Sequence, residues 1–139
     1  MKLYVYEQGT DYMLSLVSSS AEHRFVILSI AQVEFRSAVR RRQRGGEILE
    51  SDANIMLESF HKHSEGRFLV ERFNDFLLDL ASVLIDRYIL KAFDAMQLAG
   101  YLTLRAKLGV DAPVFVCADK KLLDAAQREG SPVLDPSFP

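Results

Sequence analysis

Four short apolar runs, "HRFVILSI", "RFLVE", "PVFVCAD" and "SPVLD", are separated by segments whose apolar residues recur at helical spacing. Strands that alternate with crossover helices lie parallel in one sheet, with the helices packed on its faces. The expected fold is therefore α/β, with three layers, α/β/α, around a central parallel sheet. "PVFVCAD" is continuously apolar, the pattern of a strand covered on both faces. With 139 residues and 49% hydrophobic content, 1–139 is the length of a single domain with one core. No repeat, low-complexity segment or linker divides it.

The helices are read from their stripes. Ser29 can cap a helix that runs to Arg44, whose stripe is Ile30, Val33, Glu34, Ser37 and Ala38, so a glutamate falls on the face that should be buried. "EILESDANIMLESFHKH" places Leu49, Ala53, Met56, Leu57 and Phe60 on one side as core. Asn74 caps "DFLLDLASVLIDRY", with Leu77, Ala81, Leu84, Ile85 and Tyr88 inward. A further helix from about Asp94 to Leu108 is buried through Ala95, Leu98, Ala99, Leu102 and Ala106, and "KKLLDAAQREG" is the last. The opening, "MKLYVYEQGTDYMLSLV", reads as the end of one helix, a turn and the start of another.

A net charge of -2 makes the whole molecule no magnet for polyanions. One local patch stands out: "FRSAVRRRQRGG" concentrates Arg36, Arg40, Arg41, Arg42 and Arg44 just before a glycine pair. Basic residues suit a helix C-terminus, yet five exceed what a cap requires, so polyanion or partner binding stays open beside capping and solvation. Cys117, the one cysteine, forms no internal disulfide and sits in an apolar run as core filler. His61 and His63 are two apart and do not face each other on a helix, which argues for a solvated helix end over a metal site. No nucleophile elbow, G-x-G-x-x-G loop or Walker loop is present. With no apolar run of about 18 residues and no signal peptide, the expected location is the cytoplasm, without membrane contact.

Three acids remain: Glu34 in its apolar stripe, Asp94 at a helix start and Asp119 directly after a strand. Asp94 and Asp119 also suit N-capping, and Glu34 also suits pairing with an arginine. Ligands of open parallel sheets collect at the carboxyl ends of the strands. If Asp94 reaches the crevice where Asp119 and Glu34 lie, three carboxylates converge, and an oxygen-only set suits Mg²⁺ or Mn²⁺ and phosphate chemistry.

"SIAQVEFRSAVRRR", "LKAFDAMQLAGYLTLRAK" and "VFVCADKKLLDAA" resemble, in that order, the second, third and fourth acidic motifs of PIN-domain ribonucleases, particularly the VapC-type toxins of toxin–antitoxin pairs. The resemblance covers essentially the whole chain. It implies a Mg²⁺-dependent endoribonuclease in which Glu34, Asp94 and Asp119 are catalytic and hold the metal. It also implies an RNA substrate, a cognate antitoxin that blocks the site, and a homodimer. PIN domains begin with a central apolar strand ending in the aspartate that is the first metal ligand, and "MKLYVYE" resembles the helix that follows it. The expectation is thus a PIN-like domain lacking its first, central strand. Either the natural protein starts upstream of Met1, which the unpaired strand edges left by such a loss favour, or the chain is truncated and cleaves RNA poorly. The second case leads to a rival reading, a catalytically silent module that binds an antitoxin-like partner. A flavodoxin-like regulatory or cofactor-binding domain is a third.

Overall fold

The computed structural model describes residues 1–19, 23–109 and 113–139. The elements are α1 (Thr10–Ser18), β1 (Val26–Leu28), α2 (Ala31–Arg44), α3 (Glu50–Gly66), β2 (Leu69–Glu71), α4 (Asp75–Arg87), α5 (Ala92–Leu108), β3 (Phe115–Val116), α6 (Lys120–Arg128) and β4 (Val133–Leu134). The fold is mixed α/β and mostly helical, with small parallel sheets. Where the sequence suggests one sheet, the strands of the described residues pair as two ladders, β1 with β2 and β3 with β4. Val26 lies opposite Leu69, and Phe115 opposite Val133. The chain forms two compact units, Met1–Glu7 with Met13–Arg72, and Gln8–Tyr12 with Phe73–Pro139.

In the first unit, Phe35, Val39 and Ala53 are buried, with Met1, Tyr4, Ile48, Met56, Leu57 and Phe60 packed around them. Phe35 stacks on Phe60 at 4.3 Å between ring centroids, and Tyr4 meets Phe35 edge-on at 4.8 Å. This corrects the α2 stripe. Phe35 and Val39 face the core, and Val33 is 61% exposed. The large Phe35 ring buries more apolar area than Val33 or Ala38 can, and it sets the rotation of the helix. Leu49 also lies outside, as the N-cap of α3. Ile30, not Ser29, is the N-cap of α2, with no side-chain cap bond. The opening residues form a turn in place of a helix end, with the Tyr4 and Val5 amides both donating to the Met1 carbonyl.

In the second unit, α4 packs on α5 through Leu77, Ala81, Leu84, Ala95, Leu98 and Ala99. Asn74 caps α4 as expected, its Oδ1 accepting from the Leu77 amide at 3.1 Å. Ile85 and Ala106 are exposed, at variance with their assigned stripes. At the far end of α6, Glu129 Oε1 accepts from Arg87 Nη1 (2.6 Å) and Tyr88 Oη (2.7 Å), while Arg105 Nη1 donates to the Glu129 carbonyl and to Ser131 Oγ. These bonds tie the ends of three helices together. The Tyr88 and Arg87 hydrogen bonds hold the Glu129 carboxyl below the usual range. The "PVFVCAD" run is a two-residue strand with Val114 and Val116 exposed, so it is not covered on both faces. No helix among the described residues is long and apolar enough to cross a membrane.

Candidate functional site

Two helix starts build the cleft that holds Asp94 and Asp119. α4 ends at Arg87, and a short connection, tightened by the Leu90 amide donating to the Tyr88 carbonyl at 2.8 Å, leads to Lys91, the N-cap of α5. Lys91 offers no side-chain cap bond, and Asp94 follows in the first turn. Asp94 therefore does not have the capping role that its position suggests. On the other side, β3 leads through Cys117 to Asp119, the N-cap of α6. Asp119 does cap: its Oδ1 accepts from the amides of Lys121 (2.9 Å) and Leu122 (3.1 Å). Its own amide donates to Cys117 Sγ at 3.3 Å. The second oxygen, Oδ2, takes no part in the cap.

Asp94 and Asp119 line one cleft of about 330 Å³, together with Ile89, Leu90, Lys91 and Lys121. Asp94 is half-buried. Burial above all, and then the Asp119 carboxylate, raise the Asp94 carboxyl above the usual aspartate range, with the Lys91 ammonium opposing. Two like charges that share a partly desolvated space disfavour each other's ionisation. A cation placed between them would relieve that cost.

Cys117 is half-buried and not fully enclosed core. Burial pushes its thiol up, and the carboxylates of Asp119, Asp94 and Asp135 push it further. It is therefore a neutral thiol near pH 7 and a poor nucleophile. Asp135 ends β4 beside the end of β3, and its Oδ1 accepts from the Ser137 amide at 2.8 Å. Sequence reasoning passed over it. The signal was present in "SPVLD", a strand ending in an acid as "VFVCAD" does.

Glu34 lies in the first turn of α2, partly exposed, and belongs to the first unit, whereas Asp94 and Asp119 belong to the second. Among the described residues, no group of three or more His, Cys, Asp and Glu side chains could hold a metal ion. The arginines of α2 divide between tasks. Arg42 is within 3.5 Å of Glu7 and 3.9 Å of Glu47. Arg40 donates to Gln43 Oε1 and to Asn54 Oδ1. Arg36 and Arg40 line a groove of about 530 Å³ between α2 and α3, with Phe35, Leu57, Phe60, Glu58 and His61 among its walls. Arg41 and Arg44 are exposed at the helix end.

The two histidines separate. His61 is on the surface, 3.3 Å from Glu65. His63 is drawn inward, its Nδ1 2.7 Å from the Tyr4 hydroxyl and its ring edge-on to Phe68. The solvated helix end expected for this pair holds for His61 alone. Burial pushes the Tyr4 hydroxyl up to about 12, so it stays protonated at neutral pH. A scan against protein-family models finds no match to this chain, and a search of curated proteins finds none either.

Proposed function

We propose that the chain is a PIN-type, VapC-like endoribonuclease, the toxin of a toxin–antitoxin pair, acting on RNA with Mg²⁺ or Mn²⁺. The observation that carries this reading is the cleft in which Asp94 and Asp119, from separate helix starts, face one space. The proposal extends to a three-layer PIN-like fold, a cytoplasmic location, a homodimer and a cognate antitoxin.

The donor set fits a hard divalent cation. Magnesium is commonly bound through one or two carboxylates, with waters and substrate phosphates completing the shell. Asp94 and Asp119 would supply two such carboxylates, and Glu34 is assigned as a third ligand by the resemblance of its motif. When bound, a divalent cation supplies a polarised water and charge stabilisation at the phosphate oxygens. The protein's own part is positional. Capping fixes one Asp119 oxygen and so orients the other.

Asp94→Asn and Asp119→Asn each remove a charge while keeping shape, and Asn is as good an N-cap as Asp. Each variant is expected to fold normally and to lose Mg²⁺-dependent RNA cleavage by 100-fold or more, about 2.7 kcal/mol of barrier. Cleavage at the parent rate would end the assignment.

The groove between α2 and α3 supports a second reading, a catalytically silent module. Apolar walls bearing Arg36 and Arg40 suit an acidic protein segment. That reading expects partner binding that is indifferent to Mg²⁺ and to Asp94→Asn, and weakened by charge removal at Arg36.

A further inference from the structure

The cleft that holds Asp94 and Asp119 carries positive charge where local physics would not put it. Lys91 is the N-cap of α5, and Lys120 and Lys121 open α6. The start of a helix is the positive end of its dipole, so cations there are unfavourable, by a few tenths of a kcal/mol each. Neither Lys91 nor Lys121 is drawn into an ion pair among the described residues. Both line the cleft. Ile89, 92% exposed, stands at its rim as an uncovered apolar side chain. The Lys91 ammonium favours the charged form of Asp94, so its gain lies inside the cleft and not in the helix that it starts.

We propose that Lys91 and Lys121 are substrate-positioning residues that hold the phosphates of a single-stranded polynucleotide across the Asp94–Asp119 cleft. This rests on the nuclease reading of the same cleft and adds to it two residues that hold the RNA backbone there. Each lysine belongs to a different helix start, as each acid does, and all four line the one cleft. A phosphodiester between the acids would be held by phosphates on either side of it. The helix dipoles, unfavourable to the lysines, are favourable to the same phosphates. The lysines balance the two carboxylates, which would otherwise repel a polyanion. Lys120 is the less suited to this role, since its Nζ lies 6.0 Å from the centre of the Phe138 ring.

The test is binding of a fluorescent single-stranded oligoribonucleotide to the full chain in EDTA, where no cleavage competes, across a series of salt concentrations. For single strands, each phosphate contact contributes about 0.7 to the slope of log K against log salt. Lys91→Gln and Lys121→Gln are each expected to reduce that slope by about 0.7 and to weaken binding several-fold near 0.1 M salt, with arginine at either position restoring both. Melting temperatures of the Gln variants should stay close to the parent's, since a charge unfavourable to a helix start is removed in each and, in Lys91→Gln, the attraction to Asp94 is lost with it. A structural role would lower them and leave the slope alone. Unchanged slopes in the Gln variants, or no binding by the parent chain, would overturn the proposal. The nuclease reading is judged separately by Asp94→Asn cleavage, so unchanged slopes with cleavage lost in Asp94→Asn would remove the lysines and keep the nuclease.

Discussion

Asp119 divides its two oxygens between structure and cleft. Oδ1 closes the start of α6 and Oδ2 is left for other use, while Asp94 at the start of α5 contributes nothing to its own cap. The consequence is a pH dependence with a defined sign. The folded chain raises the Asp94 carboxyl, so between the ordinary aspartate value and the raised one the folded state binds more protons than the unfolded state. Stability from this group is present at lower pH and falls as pH rises through that window. Asp119→Asn removes the neighbouring charge and keeps the cap, so it is expected to move the Asp94 titration downward. A carboxyl titration by NMR checks this, and an unmoved midpoint would leave burial as the sole cause. Glu129 has the opposite sign: its carboxyl is held low, so its contribution is present above the unfolded value and is lost as pH falls through the folded one.

At the scale of elements, caps and turns decide where each helix begins. Asn74 satisfies the Leu77 amide, and Asn74→Ala is expected to cost about 1 kcal/mol in chemical denaturation. Gly9 precedes α1 with φ at +88°, and a Cβ there would collide with the Pro136 carbonyl oxygen. Gly9→Ala is therefore expected to cost roughly 1 to 3 kcal/mol from backbone strain alone, before the chain shifts to relieve the clash. Equal stability of the parent and the alanine variant would show that this segment gives way freely. Helix identity was legible in the sequence because it is written in caps and periods that span a few residues: Asn74, Asp119, and the spacing of Leu77, Ala81 and Leu84. Helix rotation was less legible. In α2 a stripe through Val33 and one through Phe35 differ by a small turn about the axis, and only packing against Phe60 and Tyr4 selects between them.

On the scale of the molecule, each compact unit buries its own apolar side chains among the described residues, Phe35 and Val39 in the first and Leu84 and Leu98 in the second. Leu98 is fully buried, and Leu98→Ala is expected to destabilise by roughly 2 to 5 kcal/mol. Amide exchange should rise first in α4, α5 and α6, whose side chains share that core. A rise of equal size through α2 and α3 would mean that the two units unfold as one. The α/β class, the helices from α2 to α6 in their order and most inward residues of α3, α4 and α5 were legible in the sequence, because each is encoded within one or two turns of chain. The sequence by itself did not determine that Asp94 and Asp119 share a cleft with two lysines. Nor did it determine that His63 turns in to meet Tyr4 while His61 stays out, or that Arg42 is engaged by Glu7 and Glu47. Those outcomes depend on residues far apart in the chain being brought together by packing, and on a competition for burial that no local window contains. The pairing of β1 with β2 and of β3 with β4 is likewise set between residues far apart in the chain, beyond the reach of any local window.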